Sequence, residues 1–322
     1  MTVFDIDLII INRNTVELTR NCITSIRNTQ GALRVNIIVV DNASTDGSPD
    51  ILEKEFPDVT IIRSEKNLGY GAAFNVAFAQ CSAPYAVISN TDVVYHDNTL
   101  QTFCRFMNEN TDVGVCGGQQ IYPDGRWQRS YGPNPNFFFG FILMLGSKFW
   151  YEAFVNRYWK KLNLEQRVKE VGFVDGAVMF LRRTALEQLG GFDPSFLFFA
   201  EDGDVCMGMK RNGWKVKFVP QATFTHIRGG TRSFEVLREQ HYLSMNMHFR
   251  FQLARKYLTP LHEKLWGVTQ VWYYAELMLV YKVLGLLTGK QLLHDKSTVC
   301  KTLLLVCASE LEGKTSTTIS LP

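Results

Sequence analysis

The stretch Asn36-Ile37-Ile38-Val39-Val40-Asp41-Asn42-Ala43-Ser44 decides how this chain folds. Ile37 to Val40 run apolar without a polar alternate, as a strand covered on both faces requires, and a carboxylate with turn-forming residues then stops the run. The same grammar repeats on either side. Strand-like runs fall at Asp7–Asn12, Asn36–Asp41, Val59–Ser64, Tyr85–Asn90 and Val113–Gly118, with helical patterns between them at Val16–Asn28, Pro49–Phe56, Gly71–Cys81 and Asn98–Asn108. This β-α-β-α order predicts an α/β fold, a doubly wound and mostly parallel sheet with helices on both faces. Ligands of such sheets bind beyond the C-terminal ends of the strands, so the residues just after each run are the first candidates for a site.

From Gln119 the pattern changes. Pro123-Asp124-Gly125 reads as a turn between Gln119–Tyr122 and Arg126–Ser130, an antiparallel hairpin. Residues 131–170 read as a long aromatic insertion. A strand is expected at Gly172–Arg182, a helix from Asp202 to Asn212 stopped by Gly213, and last strands at Lys215–Val219 and Ala222–His226. The expected organisation is a body of residues 1–235, divided near residue 118, followed by a helical region of residues 236–322.

A chain of 322 residues can bury a full core. Its seven cysteines are scattered, with no Cys-x-x-Cys pair, and read as reduced core residues, forming neither a disulfide frame nor a zinc site. Met1-Thr2-Val3-Phe4-Asp5-Ile6-Asp7 has no basic region and two early acids, unlike a secretory signal. The net charge of +3 hides an asymmetry: residues 205–301 carry 15 Lys+Arg against 5 Asp+Glu. A basic C-terminal third on an acidic body suggests an anionic partner or surface, or else a solvated basic helix pair. Phe137–Gly146, ten uncharged residues, is too short to span a bilayer. Leu265–Gly289 is long enough but is interrupted by Glu276 and Lys282. With Trp266, Trp272, Tyr273, Tyr274 and Tyr281 it reads as an interfacial helix, the alternative being a buried helix pair.

Three strand ends and one helix start carry candidate chemistry. Asp41 can accept hydrogen bonds from a ligand N–H, such as that of a pyrimidine base, or simply close an Asx turn. Gly69-x-Gly71 opens a helix, where backbone N–H groups can face phosphate. Asp92, just past the Tyr85–Asn90 strand, offers a hard oxygen suited to Mg²⁺ or Mn²⁺ on a diphosphate. His226 ends the last strand before Ile227-Arg228-Gly229-Gly230-Thr231, where an imidazole could complete a metal shell and the loop could close over phosphates, or the histidine could be structural. Glu201, Asp202 and Asp204 place three carboxylates within four residues after the apolar run Phe196-Leu197-Phe198-Phe199. Such a cluster is costly to desolvate and needs water, a cation or a catalytic purpose, although acids at a helix start also complement its dipole.

With these pieces in order, the chain resembles an inverting family 2 glycosyltransferase of the GT-A fold, close to the bacterial rhamnosyltransferase-like group. The matching segments are Val40-Asp41-Asn42-Ala43-Ser44, Asn67-Leu68-Gly69-Tyr70-Gly71-Ala72-Ala73-Phe74-Asn75, Asn90-Thr91-Asp92-Val93, Gly176-Ala177-Val178-Met179-Phe180-Leu181-Arg182, Gly190-Gly191-Phe192-Asp193 and Glu201-Asp202-Gly203-Asp204-Val205-Cys206. The resemblance covers roughly residues 5–235. It implies that Asp41 holds the nucleobase and that Asn12, Asn67, Gly71, Asn75, Asn90 and Asp175 serve the nucleotide-sugar donor. It also implies that Asp92 and His226 bind Mg²⁺ or Mn²⁺, that Asp202 is the general base and that Glu201 contacts acceptor or sugar beside it. The chain departs from the family pattern twice: Asn90 stands for the first Asp of Asp-x-Asp, and Gly203 stands where a branched apolar residue is usual.

The resemblance further implies transfer of a sugar, with L-rhamnose from dTDP-rhamnose preferred, to a saccharide or lipid-linked acceptor in cell-surface polysaccharide (O-antigen) biosynthesis. The same fold with a UDP- or GDP-hexose or an N-acetylhexosamine donor is the alternative. The expected setting is cytoplasmic and peripheral on the inner face of the membrane, with oligomerisation left open. A nucleic-acid partner is not expected, since only the basic third favours one. A Rossmann oxidoreductase would need Gly-x-Gly-x-x-Gly after the first strand, where Asn12-Arg13-Asn14-Thr15 stands. A nucleotide-binding module without catalysis would be favoured by loss of Asp202, which is present.

Overall fold

In the computed structural model, residues 4–132, 166–227 and 236–313 are described, with side chains from residue 240 onward in the last segment. The elements alternate from the start: β1 (Ile6–Asn12), α1 (Val16–Thr29), β2 (Val35–Asn42), α2 (Ser48–Glu55), β3 (Thr60–Ser64), α3 (Tyr70–Phe78), β4 (Tyr85–Ser89), β5 (Val93–Tyr95), α4 (Thr99–Glu109) and β6 (Val113–Ile121). Short strands follow, β7 (Trp127–Gln128), β8 (Tyr131–Gly132), β9 (Lys169–Glu170) and β10 (Phe173–Val174). Then come β11 (Val178–Arg182), α5 (Arg183–Leu189), α6 (Glu201–Arg211) and β12 (Lys215–His226). Three long helices close the chain: α7 (Val236–Tyr257), α8 (Pro260–Thr288) and α9 (Gln291–Leu311).

The main sheet runs β3-β2-β1-β4-β11-β6-β12-β5, with β7 and β9 attached to β6 and β12. β3, β2, β1 and β4 run parallel to one another, as do β6 and β12. β11 lies antiparallel between β4 and β6, and β5 antiparallel on β12. Apolar residues of each strand alternate between the two faces. Leu8, Ile10, Ile37, Val39 and Phe180 pack with α1, α2 and α4, whereas Ile9, Ile38, Val40, Met179 and Leu181 pack with α3, α5 and α6. The result is a three-layer α/β/α sandwich. All seven cysteines are buried thiols outside any disulfide, as expected of reduced core residues.

Three expected strands have different shapes. Lys215–Val219 and Ala222–His226 are one strand, β12, with an irregular register between Val219 and Thr223 where Pro220 has no N–H to donate. Gly172–Arg182 is instead two strands, β10 and β11, parted by a turn at Asp175-Gly176-Ala177. That turn brings the chain to the site.

α7, α8 and α9 share a core of Met247, Phe251, Ala254, Trp266, Leu303 and Cys307. Gly289, in the left-handed conformation at φ +65, lets α8 fold back along α9 through a two-residue connection. By length and composition α8 is apolar enough to cross a membrane, although few of its residues are covered in the bundle. The aromatic residues expected at an interface divide between two settings. Trp266 is buried edge-on against Phe251, with ring centroids 4.9 Å apart, whereas Trp272 is 60% exposed. Leu286 and Leu287, at the turn end of α8, are 70% and 77% exposed. Phe137–Gly146 lies outside the described residues.

Candidate active site

β1 and β2 end in register, pairing Asn12 with Asp41. Asn12 Nδ2 donates to Asp41 Oδ1 at 2.8 Å and to Ser44 Oγ at 3.1 Å, while Ser44 N donates to Asp41 Oδ2 at 3.0 Å. The Thr15 and Thr19 hydroxyls hold the other end of the Asn12 amide, donating to Oδ1 at 2.9 and 2.8 Å. The buried Asp41 carboxylate therefore closes an Asx turn, and each oxygen keeps a second lone pair for a ligand donor.

The next loop is braced in the same way. Asn67 Oδ1 accepts from Asn42 Nδ2 at 2.9 Å and from Gly69 N at 3.0 Å, and Asn42 Oδ1 accepts from Leu68 N at 2.8 Å. Gly71 is small because of a neighbouring ring: a β-carbon there would lie 2.9 Å from Phe192 Cβ. Asn75 closes on backbone, accepting from Phe192 N at 2.9 Å and donating to Phe192 O at 2.7 Å. Both residues fasten α3 to the Gly190-Gly191-Phe192 turn.

At the centre, Asn90 N donates to Ala177 O at 2.9 Å, tying the end of β4 to the turn before β11. Asp175 Oδ1 caps that turn, accepting from Ala177 N at 2.9 Å. The Tyr70 hydroxyl, unnoticed in the sequence, donates to Gly176 O at 3.0 Å. Across from the turn stands the start of α6. Asp202 Oδ2 accepts from Gly176 N at 3.1 Å and Oδ1 from Gly203 N at 2.7 Å, so both oxygens are aimed by backbone.

The backbone entering α6 is strained. Phe199 and Ala200 both adopt left-handed conformations, with φ of +77 and +65, at a cost of about 1–3 kcal/mol each. Phe198 and Tyr242 pack their rings around Phe199 and hold this turn.

Three carboxylates, Asp175, Glu201 and Asp202, thus converge. Burial, then the adjacent Asp202, raises Glu201 to about 8, and Glu201 Oε2 has no hydrogen-bond partner among the described residues. Burial, then Asp175, raises Asp202 to about 6 against the two backbone donors that favour its ionised form. The pair is poised to exchange protons near neutral pH.

Gly203 now has a physical reason. A β-carbon there would lie 3.0 Å from Leu253 Cδ2 of α7, so the space a branched residue would fill is taken by the C-terminal region. The same helix grips α6 elsewhere: the Tyr257 hydroxyl meets Asp204 Oδ1 at 2.9 Å, and Lys256 Nζ bridges Asp204 Oδ1 and Asp193 Oδ2 at 2.7 Å each.

Asp92 and His226 meet at the far end of β12, with His226 Nε2 3.3 Å from Asp92 Oδ1 and both residues buried. Ile227 N donates to Asp92 O at 2.9 Å, which fixes the pair's spacing. Behind the ring, His226 Nδ1 lies 3.2 Å from Gln120 Oε1 and 3.1 Å from Gln128 Oε1. Sequence reasoning missed both glutamines, whose only signal was their place in the Gln119–Ser130 hairpin. Among the described residues no three His, Cys, Asp or Glu side chains gather into a metal site. One carboxylate and one imidazole nonetheless fit a divalent cation whose remaining ligands are diphosphate oxygens and water. The loop after Ile227 lies outside the described residues.

Comparison with known proteins agrees with this geometry. The model of Glycosyl transferase family 2 matches residues 7–190, and that of Glycosyl transferase family 21 matches residues 152–286. The N-acetylglucosaminyl-diphospho-decaprenol L-rhamnosyltransferase of Mycobacterium tuberculosis is 27% identical over 203 residues, covering 60% of this chain and 66% of that protein, just under two thirds of its length. The O-antigen biosynthesis protein RfbC of Myxococcus xanthus is 22% identical over 64% of this chain but only 16% of its own length. In structure, the mannosyltransferase PcManGT from Pyrobaculum calidifontis, solved with GDP-Man and Mn²⁺, matches with a TM-score of 0.58 at 16% identity over 98% of this chain and 89% of its own. GalNAc-T7, solved with UDP, GalNAc and Mn²⁺, matches with a TM-score of 0.53 at 11% identity over 70% and 43%. With the family model matching residues 7–190, the chain belongs to glycosyl transferase family 2, with the GT-A fold.

Proposed function

We propose that this chain transfers a sugar from a nucleoside diphosphate donor to a hydroxyl of a saccharide or lipid-linked acceptor, inverting the anomeric centre. The observation that carries the reading is Asp202, whose carboxylate oxygens are both aimed by backbone N–H groups, on the same sheet edge as the Asp92–His226 pair. Asp202 takes the proton of the acceptor hydroxyl as its oxygen attacks the anomeric carbon. The bond to the diphosphate oxygen breaks on the opposite face, so one displacement inverts the centre without a covalent enzyme intermediate. Glu201, holding its proton at neutral pH, is a donor for an acceptor or sugar oxygen. Asp41, backed by Asn12, serves the base, and Asn67 and Asn90 shape the loops on the donor side.

Asp92 and His226 would hold Mg²⁺ or Mn²⁺, which supplies charge neutralisation on the leaving diphosphate. The 27% identical rhamnosyltransferase supports L-rhamnose from dTDP-rhamnose as the donor. Its name, with that of RfbC, supports a lipid-linked acceptor in cell-surface polysaccharide biosynthesis. The exposed apolar turn of α8 and α9, beside the cationic Lys282, Lys290 and Lys296, supports peripheral contact with an anionic cytoplasmic leaflet. Residues 1–235 form the catalytic unit in this reading, and residues 236–322 its attachment.

The test is to incubate purified protein with dTDP-rhamnose and a panel of UDP- and GDP-hexoses and N-acetylhexosamines, reading nucleoside diphosphate release. Release from dTDP-rhamnose alone supports the assignment. Release from a UDP or GDP sugar alone moves the donor to that class, and release from none overturns the transferase reading.

A further inference from the structure

His226 meets two unlike neighbours through its two ring nitrogens. On one side Nδ1 is faced by the oxygens of two glutamines, at 3.2 and 3.1 Å, and on the other Nε2 faces the oxygen of Asp92 at 3.3 Å. Gln120 and Gln128 are 0% and 2% exposed and pair across the β6–β7 hairpin, so neither can swing away. Two carbonyl oxygens converge on an imidazole nitrogen only if it carries the proton, since a lone pair there would repel both. The arrangement costs the glutamines their own donors, because both Nε2 groups are buried with no partner among the described residues. Buried amides left half-satisfied mark a position held for some purpose other than stability.

We infer that Gln120 and Gln128 are positioning residues that fix His226 as its Nδ1–H tautomer and so present a bare Nε2 lone pair beside Asp92. A lone pair facing a carboxylate oxygen at this distance is repulsive by itself. The two atoms form a grip on a single positive species. This inference rests on the reading of Asp92 and His226 as the cation pair, and it adds what makes the imidazole a ligand in place of a donor. A histidine with Nε2–H would donate to Asp92 and occupy both would-be ligands at once. Partners behind a metal-binding histidine commonly act this way, and their loss typically costs about 10–100-fold in metal affinity.

The experiment uses the full-length protein labelled with ¹⁵N-histidine and stripped of metal, the His226 signals being assigned by their loss in His226→Gln. Expected is a protonated Nδ1 and a pyridine-like Nε2 in the wild type, with the proton moving to Nε2 in the Gln120→Met/Gln128→Met double variant. Mn²⁺ titration by calorimetry in the presence of dTDP should then show affinity about 10–100-fold weaker in the double variant. An Nε2–H tautomer in the wild type overturns the inference, as does an unchanged tautomer in a double variant whose thermal melt shows it folded. Should the double variant not fold, the wild-type spectrum alone decides. Absence of Mn²⁺ binding by a wild type that does show the Nδ1–H tautomer would remove the cation reading and leave the glutamine assignment standing.

Discussion

Leu253 of α7 lies over Gly203 of α6, its Cδ2 3.0 Å from where a β-carbon of residue 203 would sit. A helix beyond the catalytic fold thus completes the packing of the residue next to Asp202. Gly203→Val should overpack this contact and destabilise the protein by about 1–3 kcal/mol. Adding Leu253→Ala should restore much of the loss. Thermal or urea melts of the two single variants and the double variant measure the coupling, and strictly additive losses would show that the two side chains do not share this space.

The carboxylate pair predicts a pH profile. Asp202 must be ionised to accept a proton, and it is raised to about 6 by burial and then by Asp175. Initial-rate kcat/KM should therefore climb through about pH 6. Asp175→Asn removes a neighbouring negative charge, makes ionisation easier and should shift the climb to lower pH.

Stability should move in the opposite sense. Glu201, raised from an ordinary 4.5 to about 8, keeps a proton in the folded chain that the unfolded chain releases. Stability therefore falls as pH rises from about 4.5 to about 8 and levels off beyond, and Glu201→Gln should flatten that slope. Chemical denaturation at a series of pH values checks both the direction and the window.

Cation removal should abolish turnover, with Mg²⁺ or Mn²⁺ restoring it after EDTA treatment. Asp92→Ala should resemble the stripped enzyme and His226→Ala should be milder, since the diphosphate supplies further ligands. Asp41→Ala should chiefly weaken nucleoside diphosphate binding, whereas Asp202→Asn should cost about 10²–10⁴ in rate with binding kept. Calorimetry alongside initial rates separates the two, and the reverse pattern would exchange the roles assigned to them.

The turn end of the C-terminal hairpin should bind anionic vesicles at low salt and release them as salt rises. Leu286→Glu with Leu287→Glu should abolish flotation while leaving donor hydrolysis intact, because each buried leucine contributes about 1.5–3 kcal/mol. Flotation indifferent to both salt and the substitutions would return this segment to another role.

Much of the sheet was readable because strands covered on both faces have a compositional signature, as Ile37 to Val40 do. Carboxylates at strand ends were readable as well, because charge in an apolar setting announces itself. The direction of β11 was not: Val178–Leu181 is apolar throughout and reads the same whether it runs parallel or antiparallel. Gln120 and Gln128 carry no charge and reach His226 across 106 and 98 residues, a distance over which local pattern is silent. The bonds from Asn75 to the Phe192 backbone span 117 residues and were silent for the same reason.

The placement of β11 also constrains how the chain reaches its native state. Its strand neighbours are β4 and β6, so residues 85–89 find their second partner only when residues 178–182 arrive. A nascent or truncated chain ending near residue 118 would leave the Val87 and Ile88 backbone as an open apolar edge, a template for pairing with other copies. Division of the protein into separately expressed halves should therefore yield aggregates, and synthesis of the intact chain carries an interval of exposure that ends when β11 closes the gap.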